Sequence, residues 1–330
     1  MDFLAVGDIV VDDFIRLKDA SVHCNINNED CEICMRWGDK IPYDFHEVIP
    51  AVGNASNAAV AAARLGLSSA LRAYVGKDAY GAQCIDVLRK EGVDTEYVIV
   101  QEGKSTNYHY VLWYESQRTI LVKHETFEYG APTLATAPQW LYLSSLGENS
   151  LPYHNTLVQL LKKYPEAKLA FQPGTFQMKM GKEVLAAVYA RTDVFFCNKE
   201  EAERILGLPP GQDVKDLLTQ LHALGPKTVV ITDDKRGAYA LDAAGAMWRV
   251  PRYPDPREPF EITGAGDAFA STTVVALSLG KDLGEALRWG SVNASAVLQG
   301  IGAQKGLLGR EQLEKNLANP PAPFVVEPLA

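Results

Sequence analysis

Residues 194–206 read VFFCNKEEAERIL. The apolar run Val194–Cys197 predicts a buried strand because it is short and rich in aromatic and β-branched side chains. Asn198 and Glu201 follow at a spacing typical of a helix N-terminus, where each side chain can bond the backbone N–H of the other residue. The remaining residues to Leu206 predict a helix. This stretch is therefore predicted to be a strand followed directly by a helix.

The same order of strand and helix recurs along much of the chain. Such alternation is typical of βαβ units, in which a mostly parallel sheet carries helices on both faces. We therefore expect an α/β fold with a doubly wound sheet. Further strands are predicted at Phe3–Val11, Ala70–Val75, Trp140–Leu143, Lys168–Phe171 and Thr228–Thr232, a hairpin at Ala238–Asp242 and Met247–Val250, and helices at Asn54–Leu65, Gly81–Glu91, Tyr153–Lys163, Lys182–Ala190, Val214–Leu224, Gly266–Ser278 and Leu283–Leu298.

Two segments do not follow this alternation. Residues 15–50 are polar and irregular, and Val98–Val122 predicts two or three strands with alternating side chains. Together these segments predict a small second sheet. We expect one unit over residues 1–330, in which about 13–50 and 98–125 form a lid and the remainder forms a large α/β domain.

Composition and charge narrow the class of protein. Of the 330 residues, 47% are hydrophobic and 22% are charged, as in an ordinary globular protein. The 41 acidic and 32 basic side chains give a net charge of −9, which disfavours a nucleic-acid partner. The first residues lack a cationic segment, and no uncharged apolar stretch approaches the roughly 18 residues of a membrane span. We therefore expect no membrane partner and a cytoplasmic location, with the five cysteines reduced.

The strongest chemical signal is the run TGAGDAFA at residues 263–270. Small residues at Gly264, Ala265 and Gly266 let the backbone approach an anion, and the helix that starts here directs free N–H groups at phosphate oxygens. Asp267 would then lie beside a transferring phosphoryl group, as the base for an attacking hydroxyl. A carboxylate at a helix start is otherwise an ordinary cap. The glycine context favours the catalytic interpretation.

This run resembles the C-terminal signature of the ribokinase-like (PfkB) kinase family, and other stretches are similar to the family's motifs in the same order. They are GDIVVD at 7–12, GNASN at 53–57 with AAARLG at 61–66, VGKDAYG at 75–81, NKEE at 198–201, and VIT at 230–232 with GA at 237–238. The resemblance implies a doubly wound domain with a small β-sheet lid. It also implies an ATP-dependent carbohydrate kinase, which moves the γ-phosphoryl group to a hydroxyl of a sugar or nucleoside.

The resemblance further implies a role for each matching residue. Asp267 would accept the proton of the acceptor hydroxyl, and the cofactors would be ATP and Mg²⁺. The implied residues are Asp12, Gly53, Asn54 and Asn57 for the acceptor, Thr232, Gly237, Thr263 and Asn293 for the nucleotide, Gly264, Ala265 and Gly266 for phosphate, and Asn198 and Glu201 for Mg²⁺ through water.

Several of these residues also have simpler interpretations. Asp12 can end a strand, and Asn57 can bond a polar neighbour from inside a helix. Asn198 and Glu201 can cap a helix, and capping is compatible with a role in binding Mg²⁺ through water. Asn293 lies on a small-residue helix and can make only a packing contact.

Some positions depart from the family pattern. Val52 replaces a glycine, and its β-branched side chain disfavours a positive φ. Glu261 and Ile262 replace Asp and Thr, which leaves open whether the K⁺ that family members often bind has a site here. Asp234 stands where glycine is usual and adds negative charge near the nucleotide.

A cysteine cluster in the expected lid is unusual for this family. His23, Cys24, Cys31 and Cys34 are the right residue types for a tetrahedral Zn²⁺ site. The alternative is three reduced cysteines packed as small hydrophobic side chains. With a single Cys-x-x-Cys pair, we favour the reduced cysteines over zinc.

The identity of the acceptor depends on which expected lid side chains face the pocket. A cationic group there suits a phosphorylated sugar, whereas Asn, Tyr and His suit a neutral sugar or a nucleoside. Alternation places Asn107 and His109 on one face and Tyr108 and Tyr110 on the other. The polar residues of the expected lid that could face the acceptor are Asn107, Tyr108, His109, Arg118, Lys123 and His124.

Other functions remain open at this stage. They are a nucleoside or phosphosugar kinase of the same fold, and a non-catalytic sensor that binds a sugar or nucleotide in the same pocket. The intact run 264–267 disfavours the sensor, because a binder does not need a base. The lid strands can pair with those of a second copy, so we also expect a homodimer.

Overall fold

The computed structural model of the chain describes residues 1–24, 31–115, 117–258 and 262–329. The strands in these ranges are β1 (Phe3–Val6), β2 (Val10–Leu17), β3 (Ser21–His23), β4 (Glu32–Cys34), β5 (Tyr43–Val52), β6 (Ser69–Arg72), β7 (Tyr74–Gly76), β8 (Ile99–Gln101), β9 (Asn107–Tyr114), β10 (Gln117–Lys123), β11 (Trp140–Leu143), β12 (Lys168–Phe171), β13 (Val194–Asn198), β14 (Thr228–Thr232), β15 (Ala238–Leu241), β16 (Met247–Val250) and β17 (Glu327–Pro328). The helices are α1 (Asn54–Arg64), α2 (Ala79–Lys90), α3 (Leu151–Lys163), α4 (Thr175–Met180), α5 (Ala186–Arg191), α6 (Lys199–Leu206), α7 (Val214–His222), α8 (Ala265–Ser278), α9 (Leu283–Val297) and α10 (Arg310–Ala318).

The largest sheet that the described residues form has the order β17-β16-β15-β14-β13-β12-β11-β1-β6. The strands from β14 to β6 are parallel, and β15, β16 and β17 continue the sheet antiparallel. Alternate side chains of β1 enter different cores: Phe3 and Ala5 pack on one face, Leu4 and Val6 on the other. The predicted α/β architecture, a mostly parallel sheet covered by helices on both faces, is confirmed.

Helices α1, α2, α8, α9 and α10 contribute to the core on one face, and α3, α5, α6 and α7 to the core on the other. Helix α1 is lined with fully buried alanines such as Ala58 and Ala62, and α8 contributes Ala268 and Ala270 to the same core. Small side chains allow the two helices to approach closely, which brings their N-termini together at one edge of the sheet. In the described part of the chain, no helix is both long and apolar enough to cross a membrane.

The order of strands reverses beside β1. Chain order runs outward from β1 to β6 on one side and from β11 through β12 to β14 on the other. Such a reversal leaves a crevice outside the carboxyl ends of the strands, which is where ligands bind in open α/β sheets. Asp8 follows β1, Ser144 follows β11 and Gln172 follows β12, so all three residues lie at this edge.

A second sheet of order β10-β9-β2-β5 lies apart from the first. Strands β2 and β9 pair in parallel, with Asp12 beside His109 and Asp13 beside Tyr110. Asp13 and Tyr110 lie on the opposite face of the sheet from Asp12 and His109. On that face, the Tyr108 hydroxyl donates to Asp13 Oδ2 at 3.1 Å. The predicted separation of His109 from the two tyrosines is therefore confirmed.

Some predicted element boundaries are wrong. The strand expected at Phe3–Val11 is two strands, β1 and β2, in different sheets. The chain leaves the large sheet at Gly7, where a Cβ would lie 2.8 Å from both the Ala55 and the Ser144 side chains. The strand expected at Ala70–Val75 likewise divides into β6 and β7, and the helix expected at Lys182–Ala190 is shorter, with the unpredicted α4 before it.

The expectation that every cysteine is reduced is also wrong. Cys24 and Cys31 form a disulfide, while Cys34, Cys84 and Cys197 are free thiols. Both sulfurs of the disulfide are lost as thiolate ligands, so the four-ligand zinc site considered for His23, Cys24, Cys31 and Cys34 is not formed. The described residues contain no group of three or more His, Cys, Asp or Glu side chains placed to hold a metal ion.

Candidate active site

Asp267 lies in the first turn of α8, where three amide side chains surround its carboxylate. Asn54 and Gln172 each donate to Oδ1 at 2.9 Å, and Asn57 donates to Oδ2 at 2.7 Å. Asn54 and Asn57 come from the first turn of α1, and Gln172 comes from the carboxyl end of β12. The site thus joins the N-termini of two helices to the edge of the large sheet.

A further set of bonds holds these amides in one orientation. The Tyr142 hydroxyl donates to Gln172 Oε1. Gln304 Nε2 donates to Asn57 Oδ1 at 3.0 Å and to the Ala51 carbonyl at 2.8 Å. Because the oxygens of Gln172 and Asn57 are occupied, their N–H groups point at Asp267. The carboxylate is therefore positioned rather than free to rotate.

The surroundings of Asp267 favour its action as a base. Burial raises the pKa of its carboxyl, and the hydrogen bonds from Asn57, Gln172 and Asn54 partly oppose that rise. Burial also raises the pKa of Glu201, to which the charge of Asp267 contributes. A carboxylate with a raised pKa takes up a proton more readily than an exposed one.

Gly264 lets the backbone turn sharply into α8. Its φ is +82°, and a Cβ at this position would lie 2.3 Å from the Ala303 Cβ. Only glycine fits both the left-handed conformation and the close contact. The N–H groups of Ala265 and Gly266 belong to the first turn of the helix, where backbone donors lack intrahelical partners and attract anions. The helix start therefore has the geometry that the predicted anion site needs, and the binding of phosphate there stays a prediction.

The link between the small sheet and α1 is strained one residue earlier than expected. Ala51 has a φ of +62° and Gly53 a φ of +110°, whereas Val52 keeps an ordinary negative φ. A Cβ on Gly53 would lie 2.8 Å from the Asp8 carbonyl oxygen. The concern that Val52 must adopt a positive φ is therefore removed, and the close approach rests on Gly53.

Asp12 lies in a polar cluster beside the carboxyl ends of β1 and β11. Its Oδ1 is 3.3 Å from His109 Nδ1, and Asp8 Oδ2 is 3.6 Å from His124 Nδ1. The Tyr129 hydroxyl donates to Asp8 Oδ1 at 2.9 Å. Asn107 does not join this cluster through its amide. It is buried, donates to the Ile9 carbonyl at 3.2 Å and accepts from the Glu125 N–H at 2.7 Å.

The residues predicted for the nucleotide and metal lie at neighbouring strand ends. Asn198 of β13 stands beside Thr232 of β14 in the parallel register, and Gly237 ends the turn that leads into β15. Asn198 and Glu201 cap α6 reciprocally, with Glu201 N–H donating to Asn198 Oδ1 at 2.7 Å and Asn198 N–H donating to Glu201 Oε2 at 2.9 Å. The capping interpretation of this pair is confirmed, and its metal role stays a prediction.

At two other positions considered above, the side chain already bonds to another part of the protein. Asn293 is completely buried, where it donates to Thr272 Oγ1 at 2.7 Å and accepts from the Leu308 N–H at 2.9 Å. This favours the packing interpretation over nucleotide contact. Asp234 is exposed and pairs with Arg252 at 3.3 Å, so its added charge is partly compensated.

Sequence reasoning missed Asp8, Gln172, Tyr129 and Gln304 as members of the site. A signal existed for the first two, because each follows a predicted strand of the large sheet at its carboxyl end. Tyr129 and Gln304 lie in irregular segments, and only the tertiary fold brings them to the site.

The comparisons with known proteins agree with this geometry. The model of the pfkB family carbohydrate kinases matches residues 38–308. Ribokinase of Bacillus subtilis (strain 168) is 28% identical over 270 residues, which cover 81% of this chain and 87% of that protein. 5-Dehydro-2-deoxygluconokinase of the same organism is 26% identical over 281 residues, covering 80% of this chain and 85% of that protein.

A solved structure shows the same fold. The structure of Arabidopsis thaliana ribokinase complexed with ribose and ATP superimposes with a TM-score of 0.80 at 19% sequence identity, covering 96% of this chain and 99% of that chain. The predicted ribokinase-like architecture is thereby confirmed. Since the family model spans most of the sequence and the fold agrees along nearly all of it, this chain belongs to the pfkB family of carbohydrate kinases.

Proposed function

We propose that this kinase transfers the γ-phosphoryl group of ATP to a hydroxyl of a sugar or nucleoside, with Asp267 as the base. The observation that carries the proposal is the environment of Asp267: a carboxylate of raised pKa, held by three neutral amides at a helix N-terminus. In the reaction, the acceptor oxygen forms a bond to the γ-phosphorus as the bond to the β-phosphate oxygen breaks. The hydroxyl proton goes to Asp267, and ADP leaves.

Each part of the site has a task in this proposal. The amides of Asn54 and Asn57 keep the carboxylate aimed at the acceptor, which Asp12 and the Gly53 backbone help to orient. The N–H groups of the first turn of α8, at 264–266, stabilise the negative charge that develops on the transferring group.

The nucleotide would bind beside Thr232, Gly237 and Thr263. ATP as the donor is supported by the fold shared with the Arabidopsis enzyme, whose structure holds ribose and ATP. Since Glu201 already caps α6 with one oxygen, we propose that Mg²⁺ is held by nucleotide phosphates and water, with Asn198 and Glu201 as outer partners. Mg²⁺ would neutralise charge on the phosphates. Glu261, on which the question of K⁺ turns, lies outside the described residues.

We further propose that the small sheet, with about residues 13–50 and 98–125, acts as a lid, and that the kinase works in the cytoplasm.

Strands β5 and β10 are the edges of that sheet, and Leu121 on β10 is half exposed. Unpaired edges and exposed apolar side chains invite a second copy. We expect a homodimer by multi-angle light scattering at working concentration, and a monomeric mass there would contradict it.

The test of the function is ADP release in the presence of ATP and Mg²⁺. The acceptors should include pentoses, hexoses, their monophosphates and nucleosides. Acceptor-dependent release supports the kinase and identifies its substrate class. Ligand binding by thermal shift without turnover on any acceptor would instead favour the non-catalytic sensor.

The pH dependence of turnover tests the role of the amides. Burial raises the pKa of Asp267 above its ordinary value of 3.8, so kcat should fall as the pH drops through that raised pKa and the carboxylate becomes protonated. Asn54→Ala removes one donor that stabilises the carboxylate. We therefore expect the acid limb of its pH–rate profile to move to higher pH.

A matched control is Asn155→Ala, since Asn155 is exposed on α3, away from this site. Its profile should coincide with that of the wild type. An acid limb that stays in place in Asn54→Ala would contradict Asp267 as the titrating base.

A further inference from the structure

A cavity of about 390 Å³ opens beside the carboxyl ends of β1 and β11. Its lining includes His124, Gly147, Asn149 and Phe176. Phe176 lies four residues after Gln172, which bonds Asp267, so one short segment contacts both the base and the cavity. The cavity is therefore within the region where an acceptor would extend away from the reacting hydroxyl.

A pair of imidazoles connects this cavity to Asp12. The rings of His109 and His124 lie with their centroids 5.1 Å apart, and the His124 ring meets Phe176 edge-on at 5.4 Å. His109 reaches Asp12 at 3.3 Å, and His124 reaches Asp8 at 3.6 Å. These contacts form a continuous polar wall from the small sheet to the cavity.

Several atoms of this wall are buried without a hydrogen bond. Within the described part of the chain they are Asp12 Oδ1, His109 Nε2 and His124 Nδ1. The two Asp–His approaches bring carboxylate oxygens close to imidazole nitrogens without satisfying hydrogen-bond geometry. Buried polar atoms normally have partners, and an unpaired one needs an explanation. A ligand with several hydroxyl groups can serve both kinds of atom, because a hydroxyl donates and accepts.

The charges around the cavity disfavour an anionic acceptor. Its described lining residues include Glu125 and Glu148 but neither lysine nor arginine, and Asp8 and Asp12 lie close behind. Glu125 is itself paired with Lys104 at 3.8 Å. Lys123, next to His124, lines a different cavity with Tyr108 and Tyr110 on the other face of the small sheet. Lys179 Nζ lies 5.8 Å from the centroid of the Phe176 ring but is not among the lining residues. Among the lining side chains, a phosphate group bound here would meet carboxylates rather than cations.

We infer that His109 and His124 select the acceptor, and that it is an uncharged ring with adjacent hydroxyl groups rather than a phosphorylated sugar. This inference rests on the proposed function. Free sugars and the sugar of a nucleoside share the required chemistry. The cavity beside Phe176 would accommodate the substituent of the sugar ring.

The test measures KM for the acceptor and for ATP in His109→Gln and His124→Gln. Each variant removes imidazole contacts to the acceptor, so the acceptor KM should rise about tenfold, with the KM for ATP nearly unchanged. Lys123→Met is the matched control and should keep both values. Free sugars and nucleosides, assayed separately, show which of the two carries the preferred ring.

A second variant guards against loss of folding in the first two. His124→Arg introduces a cation into the same cavity and should improve turnover of monophosphate sugars relative to their free forms. The inference is overturned if the wild type prefers a phosphorylated sugar, or if neutral acceptors turn over with unchanged KM in both Gln variants. The absence of turnover on every acceptor would overturn the proposed function and this inference with it.

Discussion

Replacing Asp267 with Asn is expected to lower kcat by a factor of about 10²–10⁴, the usual contribution of a positioned general base. The amide cannot accept the hydroxyl proton. It also places an NH₂ group opposite one of the three donors that now face the carboxylate. Asn57 cannot turn away easily, because Gln304 holds its oxygen. ATP binding should remain measurable, since the backbone of the helix start is unchanged.

The matched control for this substitution is Asp282→Asn. Asp282 caps α9 through a bond from the Glu285 N–H at 2.9 Å, and Asn is nearly as good a cap as Asp. Turnover and melting temperature of the control should match those of the wild type. If Asp267→Asn retained turnover within tenfold of the wild type, Asp267 would not be the base.

Replacing Gly264 with Ala is expected to cause the largest loss of stability among the changes considered. A left-handed conformation costs a non-glycine residue about 1–2 kcal/mol. The added Cβ would also lie 2.3 Å from the Ala303 Cβ and 2.5 Å from its Cα, and overpacking of this kind costs about 1–3 kcal/mol. Because Gln304 follows Ala303 and fixes Asn57, the displaced segment should also lower kcat, by up to about 10²-fold.

Gly280 supplies the control at the other end of the same helix. Its φ is +79°, close to that of Gly264, but a Cβ there would meet nothing within 4 Å. Gly280→Ala should therefore show the conformational cost alone, with normal turnover. Urea unfolding measures both free energies of unfolding. Equal losses in the two variants would contradict the steric argument at Ala303.

The sequence was most informative where local chemistry and tertiary structure agree. The strand and helix at 194–206 carry their own apolar run and cap, and both form as predicted. Asp267 could be proposed as the base from the sequence, because glycines precede it in the run that starts α8. The break at Gly7 was not predicted, because the apolar run resumes at Ile9, and the close contact of Gly7 with Ala55 and Ser144 is visible only in the fold. The contacts of Asn293 were likewise not predictable, because the partners of its buried amide, Thr272 and Leu308, are distant in sequence.

The acceptor side was harder to predict for a different reason. Alternation along β9 divides Tyr108 from His109, but a sequence does not state which face of a sheet meets the rest of the protein. The structure resolves this, because His109 packs against His124, and His124 reaches Asp8 at the edge of the large sheet. The disulfide between Cys24 and Cys31 was missed because the cysteines were expected to be reduced from the expected cytoplasmic location alone. That argument does not consider which cysteines the fold brings together.

The neutrality of the amides around Asp267 also has an evolutionary consequence. A change in the third base of an Asn codon gives Lys, so Asn54→Lys or Asn57→Lys is one mutation away. The ammonium group would form an ion pair with Asp267 and lower the pKa of the carboxyl, which weakens it as a base. A gene copy released from the need for turnover would tolerate such a change, whereas an active kinase would not. In a relative of this chain, a lysine at either position would therefore indicate a descendant that binds its ligands without turning them over.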